Sequence, residues 1–366
     1  MMQLLLFAFS AIVLFLGHFF TWFIITSWAP NSPLFIVATA FIIIFLFFSI
    51  LLSSFLIHRH DNFFNRSYYL LASVWTGVMG NFILSFLFFY IIKFFIPVLF
   101  TDSLLFPSLV VLFTGAISIY GLCNAYYHKI KEYEVKIKGL SPYWHNKYIV
   151  QISDVHLGPI YRKKSLLRAI NKINKLKPEA VFITGDLFDG MESDFSWLHL
   201  PFSKLDTKKG IYYSFGNHDL YLGFDRVSKL LAKSPVKILD NKMKTVEGLQ
   251  LIGINYSFNK DFDLYRAILD QVGYDKMKPS ILLYHEPKNI KLAKSAGINL
   301  QMSGHTHNGQ MFPFNLLASL VYKGHSHGLH KSGNFSLLVN TGLGTWGPPM
   351  RTAGHSEISR IKLLPL

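Results

Sequence analysis

The stretch INLQMSGHTHNGQMFP, residues 298–313, joins an apolar segment typical of a β-strand to a polar loop. The loop carries two histidines one residue apart, His305 and His307, between Gly304 and Gly309. Glycine on both sides suits a loop that must turn sharply. A single H-x-H pair is weak evidence for a metal site, because short polar loops carry histidines for many reasons. The rest of the chain has to supply partners for the pair.

Polar residues also stand where other apolar strands of the chain stop. KYIVQIS, AVFITGD, GIYYSFGNHD and SILLYHEP have the character of strands, and helical spacing such as KKSLLRAINKINKL lies between them, which predicts an α/β fold. The polar residues at these strand ends are Asp154, His156, Asp186, Asp189, Asn217, His218 and His285. Because strand ends from distant parts of an α/β chain converge at one sheet edge, we expect these side chains to form a ligand site.

The donors at these strand ends indicate the kind of metal. They are carboxylates, imidazoles and one carboxamide, which suit divalent manganese, iron or zinc. The only cysteine, Cys123, lies in an apolar run, which excludes an internal disulfide and a thiolate-based zinc site. The seven candidate ligands exceed the four that one tetrahedral ion takes. Two ions sharing a carboxylate, ~3.5–4 Å apart, would use all of them, clamp a phosphoryl group and supply a hydroxide nucleophile.

The ordered blocks D-x-H, G-D-x-x-D, G-N-H-D, H and G-H-x-H resemble the signature of the calcineurin-like metallophosphoesterases. The resemblance extends from about Glu132 to the C-terminus. It implies an α/β metallophosphoesterase domain in which two mixed β-sheets are sandwiched by helices. Any single block would be weak evidence, whereas the full ordered set is specific.

The resemblance also implies a role for each site residue. One metal is expected to bind Asp154, His156 and His307, the other Asn217, His285 and His305, with Asp186 as the bridge. His218 is expected beside the scissile bond, where it stabilises the phosphoryl group or protonates the leaving oxygen, and Asp189 is expected to orient His218. Attack by a metal-bound hydroxide makes a protein nucleophile unnecessary.

Two features nearer the C-terminus are less specific. Arg351 is the basic residue that we expect to contact a phosphate oxygen, since its planar fork pairs well with phosphate, although an ordinary surface arginine explains it equally well. YKGHSHGLH carries three more histidines, His325, His327 and His330. No carboxylate accompanies them, so we interpret this segment as a solvated loop.

Two apolar segments adjoin the site blocks in sequence. FSWLHLPF, residues 195–202, follows the Gly-Asp block, and MFPFNLLASLVY, residues 311–322, follows the last histidines. Either could form an apolar mouth that accepts acyl chains or touches a bilayer. Core helices are the commoner explanation, and the sequence leaves both open.

The first third of the chain has the composition of a membrane region. Its only charged side chains before Tyr126 are Arg59, Asp61, Arg66, Lys93 and Asp102, so the net charge of +15 comes almost entirely from the remainder. Four apolar runs, at about residues 4–28, 34–57, 68–92 and 104–123, each reach the ~20 residues that a helix needs to cross ~30 Å of hydrocarbon. We therefore predict a transmembrane anchor of about four helices over residues 1–125 and a basic metallophosphoesterase domain over residues 126–366.

The positive charges predict the orientation. Arg59 and Arg66 lie between the second and third runs, and the fourth run is followed by Lys129, Lys131, Lys136 and Lys138. The positive-inside rule then places these segments and the catalytic domain in the cytoplasm. SGHTHNGQMFP, TGLGTWGPPMR and SEISRIKL resemble the membrane-anchored bacterial branch of the family, which implies a multi-pass protein of the bacterial inner membrane.

Together these features predict a membrane-anchored two-metal phosphohydrolase that cleaves a phosphodiester or pyrophosphate of a lipid-linked substrate. By analogy alone, one candidate substrate is UDP-diacylglucosamine in lipid A synthesis. A nucleotide or nucleic-acid phosphodiesterase on the same fold is the first alternative, but the interleaved aromatic and basic runs of single-strand binders are missing. A non-catalytic membrane sensor or scaffold is the second, although decay normally removes ligands and none is missing here. The sequence does not identify the metals or the oligomeric state.

Overall fold

The computed structural model describes residues 2–28, 32–101, 104–257 and 262–366, with the side chains of residues 2–7, 9, 262 and 263 left out. Asp102, noted above in a connection between apolar runs, lies outside the described residues. The chain divides into two compact units. One comprises Met1–Cys123 with Gly347–Met350, and the other comprises Asn124–Trp346 with Arg351–Leu366. A functional domain boundary at residue 125 stays a prediction.

The first unit consists of long apolar helices. They are α1 (Met2–Trp28), α2 (Pro33–Arg59), α3 (Phe63–Phe95) and α4 (Leu105–Tyr126), with a short 3₁₀ helix at Pro97–Phe100. Pro33 begins α2 at a position where a missing backbone N–H costs nothing, and the Asn62 side chain caps α3 by accepting from the N–H of Asn65 at 3.0 Å. All four are long and apolar enough to cross a membrane, as the sequence predicts.

Two polar side chains inside this helical unit make hydrogen bonds to neighbouring helices, although the Asn81 side-chain oxygen has no partner among the described residues. His18 donates from Nδ1 to the Leu14 carbonyl at 2.8 Å, and its Nε2 accepts from the Trp75 indole at 3.0 Å. The Asn81 amide donates to the Ser118 hydroxyl at 3.0 Å. These contacts explain both residues as links between helices.

The second unit is built on two six-stranded sheets. The first contains, in spatial order, β1 (Lys129–Ile137), β12 (Glu357–Pro365), β2 (Tyr148–Ile152), β3 (Ala180–Thr184), β4 (Gly210–Ser214) and β5 (Val236–Ile238). The second contains β10 (Gly328–Ser332), β11 (Phe335–Val339), β9 (Leu300–Ser303), β8 (Ser280–Tyr284), β7 (Leu249–Ile254) and β6 (Lys242–Val246). Both sheets are mixed. The β12–β2, β10–β11 and β6–β7 pairs are antiparallel and the other pairs are parallel.

Helices cover the outer faces of the two sheets. They are α5 (Lys163–Lys175), α6 (His199–Ser203), α7 (Asn217–Leu222), α8 (Phe224–Leu231), α9 (Phe262–Gln271) and α10 (Ile290–Ser295), while α11 (Phe314–Val321) has no buried residue. Leu166 of α5 and Leu231 of α8 belong to the core on the first sheet, and Ala293 of α10 belongs to the core on the second. A third core, which includes Phe182 and Met302, lies between the sheets. The predicted fold class, two mixed sheets sandwiched by helices, is confirmed.

The two apolar segments that adjoin the site blocks in sequence differ in burial. In FSWLHLPF, Phe195, Leu198 and Phe202 are buried in the core on the first sheet, so the core explanation is right for that segment. In MFPFNLLASLVY, Met311 is buried, but none of the residues of α11 is. A core helix is therefore the wrong explanation for the second segment.

The strand directions decide where the polar residues meet. β2, β3 and β4 are mutually parallel in the first sheet, and β8 and β9 are parallel in the second. Each of these strands is buried along almost its whole length, as is typical of parallel strands covered on both faces. Their carboxyl ends carry all the predicted metal ligands.

Candidate metal centre

The loops after β3, β8 and β9 are tied together at the carboxyl ends of the two sheets. His285, one residue past β8, donates from Nδ1 to the carbonyl oxygen of Thr184, the last residue of β3, at 2.8 Å. The main-chain N–H of Gly304, one residue past β9, donates to the His285 carbonyl at 2.8 Å. Since Nδ1 of His285 is occupied in this way, its Nε2 is the nitrogen that faces the centre.

Asp154, His156 and His307 form one group of candidate ligands. His156 Nε2 and His307 Nε2 lie 3.0 Å apart, and His307 Nε2 is 3.4 Å from Asp154 Oδ1. All three residues are buried, and one donor atom from each lies within 4.8 Å of the others. These are the three residues predicted to bind the first metal.

Asp186, His285 and His305 form a second group. His285 Nε2 is 3.1 Å from Asp186 Oδ2 and 3.2 Å from His305 Nδ1. Asp186 also groups with His156 and His218, so its carboxylate lies between the two sets of donors. This is the position that the sequence analysis assigned to the bridging ligand.

Asn217 completes the predicted second set. It is the first residue of α7 and is buried, and its side-chain oxygen has no hydrogen-bond partner among the described residues. A buried amide oxygen without a partner is costly unless a donor or a cation binds it. The orphaned oxygen fits the predicted role of Asn217 as a metal ligand.

Five candidate ligands hold a left-handed backbone. Their φ angles are 49° at Asp154, 50° at His156, 51° at Asp186, 69° at His305 and 50° at His307. L-residues other than glycine, asparagine and aspartate rarely adopt this region, which costs of order 1–2 kcal/mol per residue. Such outliers cluster where the surrounding fold forces side chains into a functional geometry.

The glycines of the opening stretch are required for different reasons. At Gly304 a β-carbon would lie 1.9 Å from the Ser153 hydroxyl oxygen and 2.2 Å from Asp154 Oδ2, so the limit is space. At Gly309 φ is +67° and a β-carbon would lie 2.2 Å from the backbone nitrogen of Asn315. Gly304 therefore lets β9 approach the first metal group, and Gly309 lets α11 pack on the histidine loop.

Burial keeps most of the site histidines in the neutral form that binds metals. Burial, with the nearby His218 ring, lowers the pKa of His156 to about 3. Burial, with His285 next to it, lowers the pKa of His305 to about 4, and burial beside His156 lowers the pKa of His307. Neutral imidazole is the metal-binding form, so protons compete weakly for these three residues.

The pKa values of His285, Asp186 and Asp154 depend on the charges of one another as well as on burial. Burial lowers the pKa of His285, but Asp186 and Asp154 outweigh it and raise that pKa to about 10. Burial opposes ionisation of Asp186, but His285 and the other histidines hold its pKa below its usual range. Burial raises the pKa of Asp154 to about 6. His285 Nε2 and Asp186 therefore favour a shared proton, which a metal ion bound between them would displace.

The donor set fits two divalent metal ions. Asp154, His156 and His307 would hold one, Asn217, His285 and His305 the other, and Asp186 would join them. The mixture of oxygen and imidazole nitrogen donors without sulfur suits manganese, iron or zinc. The structure brings all seven predicted ligands to one place, and their roles as ligands stay predictions.

His218 lies beside this centre and is held by two contacts. Its main-chain N–H donates to Asp186 Oδ1 at 2.8 Å, and its Nδ1 donates to the Asp189 carbonyl oxygen at 2.7 Å. Asp189 therefore contacts His218 through the main chain, while its carboxylate accepts from the N–H of Met191 at 2.8 Å. His218 Nε2 is left as the nitrogen available for proton transfer.

Arg351 lies behind His307. It is fully buried, and its guanidinium donates to the carbonyl oxygens of His307, Gly342 and Gly344 at 3.3, 3.3 and 2.5 Å. Arg351 Nη2 is also 3.3 Å from His307 Nδ1. These contacts support a positioning role, and the expected contact between Arg351 and a phosphate oxygen stays a prediction without a structural contact behind it.

Asp219 has a role that the sequence analysis did not assign. Its fully buried carboxylate accepts from the N–H groups of Asp186 and Gly216, both at 2.8 Å, and of Phe188 at 3.0 Å. It therefore ties the loop after β3 to the loop after β4, which places Asp186 beside Asn217 and His218. The only sequence signal was its place at the end of the G-N-H-D block.

His325, His327 and His330 do not form a metal group. His325 Nδ1 is 3.2 Å from the Tyr322 carbonyl oxygen, and His330 Nε2 is 2.9 Å from the His327 carbonyl oxygen. His327 is exposed and the other two are half-buried. His325 and His327 precede β10, which agrees with the interpretation as a solvated loop, whereas His330 lies in β10 itself, so that interpretation is wrong for the end of the segment.

The two-sheet α/β fold and the shared-carboxylate donor set define the class as a dinuclear metallophosphoesterase. The family model of the calcineurin-like phosphoesterases matches residues 147–309. An uncharacterised metallophosphoesterase of Helicobacter pylori is 37% identical over 225 residues, covering 59% of this chain and 60% of that protein. Another, from Bacillus subtilis, is 30% identical over 252 residues, covering 64% of this chain and 86% of that protein.

The chain therefore belongs to the calcineurin-like phosphoesterase family, as its resemblance implies. A relative in Danio rerio, named a transmembrane protein with metallophosphoesterase domain, is 32% identical over 278 residues, covering 70% of this chain and 62% of that protein. With the four apolar helices, this likeness supports association with a membrane. The chain spans about 60% of the length of the Helicobacter pylori relatives that it matches.

Proposed function

We propose that this protein is a membrane-anchored, two-metal phosphohydrolase that hydrolyses a phosphodiester or a pyrophosphate. The observation that carries the proposal is the meeting of two ligand groups at Asp186. Donors from five strand ends of two sheets converge there without any thiolate. Structural ion pairs do not need three buried histidines and a half-buried fourth around two carboxylates, whereas a dinuclear centre does.

Each part of the site has a defined task in this proposal. The metal ions, when bound, polarise the phosphoryl oxygens and generate the nucleophile from water. Asp154, His156, Asp186, Asn217, His285, His305 and His307 hold the ions at fixed positions. His218 donates from Nδ1 to the Asp189 carbonyl oxygen, which leaves Nε2 as the nitrogen that can take up a proton from water and pass it to the leaving oxygen.

For the substrate, we propose a lipid-linked phosphodiester or pyrophosphate. Four apolar helices keep the enzyme at a bilayer, and the residues after 125 carry almost the whole net charge of +15, which favours anionic partners. UDP-diacylglucosamine is one specific candidate that rests on analogy. We also propose that the protein lies in the bacterial inner membrane, as the resemblance to the membrane-anchored branch implies. The positive charges favour an orientation with the catalytic domain in the cytoplasm.

The proposed chemistry is tested by removing the bridging ligand and the amide ligand. In purified full-length protein supplied with manganese, Asp186→Ala and Asn217→Ala are expected to abolish hydrolysis of bis-p-nitrophenyl phosphate. The matched control is Asp206→Ala, which removes an exposed carboxylate outside the site. If both site variants keep the activity of the control, the phosphohydrolase proposal is wrong.

The substrate and the orientation need separate experiments. A screen of the same protein against lipid diesters, lipid pyrophosphates, cyclic nucleotides and DNA ends is expected to favour the lipids. A preference for nucleotides or DNA would support the alternative phosphodiesterase instead. A reporter that is active only in the cytoplasm, fused at the C-terminus, is expected to be active, and an inactive reporter beside an active periplasmic one would reverse the orientation.

A further inference from the structure

Helix α11 exposes most of its large apolar side chains. Its eight residues, FNLLASLV, include none that is buried, and Leu320 and Phe314 are 76% and 58% exposed. The other large side chains exposed here are Phe312, Leu316, Leu317 and Val321. Scattered exposed apolar residues are ordinary, but a contiguous set marks a surface that contacts another apolar phase or a partner. We call α11 with Phe312 and Trp346 the apolar ridge.

The apolar ridge is attached to the candidate metal centre. The Gln310 side chain donates to the Trp346 carbonyl oxygen and accepts from the Trp346 N–H, both at 2.9 Å. The indole of Trp346 is 64% exposed, and its ring centroid is 6.4 Å from that of His218. The other end of the ridge begins directly after the loop that carries His305 and His307. Whatever covers the ridge therefore lies next to the phosphoryl site.

The charges of the segment that contains α11 indicate what kind of partner can cover the apolar ridge. Residues 310–332 contain no aspartate or glutamate, but they contain Lys323 and Lys331. Lys323 is exposed two residues after the end of α11, and Tyr322 lies between them. Tyr322 itself is half-buried, and its hydroxyl donates to Glu286 at 3.4 Å, so the exposed lysine carries this argument. An apolar helix followed by an exposed lysine matches the boundary between acyl chains and anionic headgroups.

We propose that the apolar ridge inserts into the acyl–headgroup boundary of a phospholipid bilayer. Four apolar helices already bring the chain to a bilayer, so this partner is present without further assumptions. A second copy of the chain is less suitable, because a stable protein interface engages roughly 20–30 residues on each side. The ridge offers an eight-residue helix, about 12 Å long, and two neighbouring side chains. Insertion would hold phosphate groups of the bilayer surface beside His218.

The test measures contact between the ridge and lipid in the full-length protein. Because Cys123 is the only cysteine, a Cys123→Ser background accepts a single new one. Leu320→Cys and Leu317→Cys place a nitrobenzoxadiazole label on the ridge, and Met277→Cys, at a residue 88% exposed, is the matched control. Each protein is reconstituted into phosphatidylcholine and phosphatidylglycerol vesicles with a spin label at a shallow acyl position.

Labels on the ridge are expected to be quenched roughly twofold or more beyond the Met277 label, with emission shifted to the blue. Quenching of the Leu320 and Leu317 labels no stronger than that of the Met277 label would overturn the proposal. A blue shift without quenching would also overturn it, because a protein surface would then cover α11. The measurement needs no turnover, so it can fail while the phosphohydrolase proposal holds, or succeed in an inactive enzyme.

Discussion

Two loops of this protein carry the same H-x-H spacing in very different surroundings. His305 and His307 follow the inner strand β9, lie against Asp154 and His285, and have partners from both sheets. His325 and His327 precede β10, an edge strand, and their neighbourhood contains His330 but no carboxylate partner within the described contacts. The comparison teaches that spacing does not make a metal site. Convergent strand ends, buried carboxylates and desolvated rings make it.

The largest expected effect separates the two loops directly. His307→Ala is expected to lower turnover of bis-p-nitrophenyl phosphate about a thousandfold or more, since a metal ion contributes several kcal/mol to such reactions. His327→Ala should leave the rate and the metal content unchanged. Elemental analysis and kinetics on both purified variants provide the measurement. Metal loss in His327→Ala would break the comparison.

One glycine beside each histidine loop allows the two loops to be compared in their backbone conformation. Gly309→Ala places a β-carbon 2.2 Å from the Asn315 nitrogen at a φ of +67°, whereas Gly324→Ala has a φ of +82° and no atom within 4 Å. The first change is expected to cost about 3 kcal/mol of stability and the second about 1 kcal/mol, since the second suffers only the backbone penalty. Thermal unfolding in detergent compares them, and equal losses would contradict the packing of α11 on the histidine loop.

The next prediction concerns Arg351, which contacts the backbone around the ligand His307. Arg351→Met removes the donors held against the carbonyls of His307, Gly342 and Gly344. We expect metal affinity to fall about 10- to 100-fold, as is typical when a group that orients a ligand is lost. Titration of manganese into the metal-free protein measures the affinity. Arg360→Met, which removes an arginine paired with Glu132, is the control and should bind metal normally.

The smallest effect concerns His128, a buried histidine outside both loops. Burial, with the cations Lys172, Arg168 and Arg351 nearby, lowers its pKa to about 4, and its Nδ1 lies 2.7 Å from the Ser356 hydroxyl. Because the folded-state pKa lies below the unfolded value, stability is fully present above pH ~6.5 and falls as the pH drops towards 4. Between pH 7.5 and 5.5 the loss is about 1 kcal/mol.

His128→Gln should remove that pH-dependent loss and leave the metal content unchanged. Melting temperatures of the variant and the wild type at the two pH values, in the same detergent, provide the measurement. An unchanged pH dependence would show that His128 is not the group that titrates. Burial alone would then not be enough to predict that the pKa of a buried histidine is lowered.

The convergence of the candidate ligands was predictable because its signals are local. Each ligand stands next to a strand recognisable from its own residues, and parallel strands bring their carboxyl ends to one edge. Asp219 was not predictable in this way, since its three partners are N–H groups of two other segments whose approach depends on the whole sheet. The burial of Arg351 was not predictable for a similar reason, because the carbonyl oxygens of His307, Gly342 and Gly344 that surround it cannot be recognised in the sequence.

Hydrophobicity gave the poorest guidance. FSWLHLPF and MFPFNLLASLVY have similar composition. The first contributes side chains to the core on the first sheet, whereas the second supplies most of the apolar ridge. Local sequence reports that a segment can be buried, whereas the surrounding fold decides whether a surface is available to bury it. The exposure of α11 therefore follows from the fold around it and not from its own residues.

The left-handed backbone of the ligand residues has a consequence for how the chain tolerates substitution. Each of the five positions would be relieved by glycine, which adopts a positive φ without penalty. Asp186→Gly is therefore expected to inactivate the protein while losing much less stability than removal of so buried a side chain would otherwise cost. The ligand residues therefore stand at positions where a change to glycine would relieve the backbone and remove the proposed chemistry in one step.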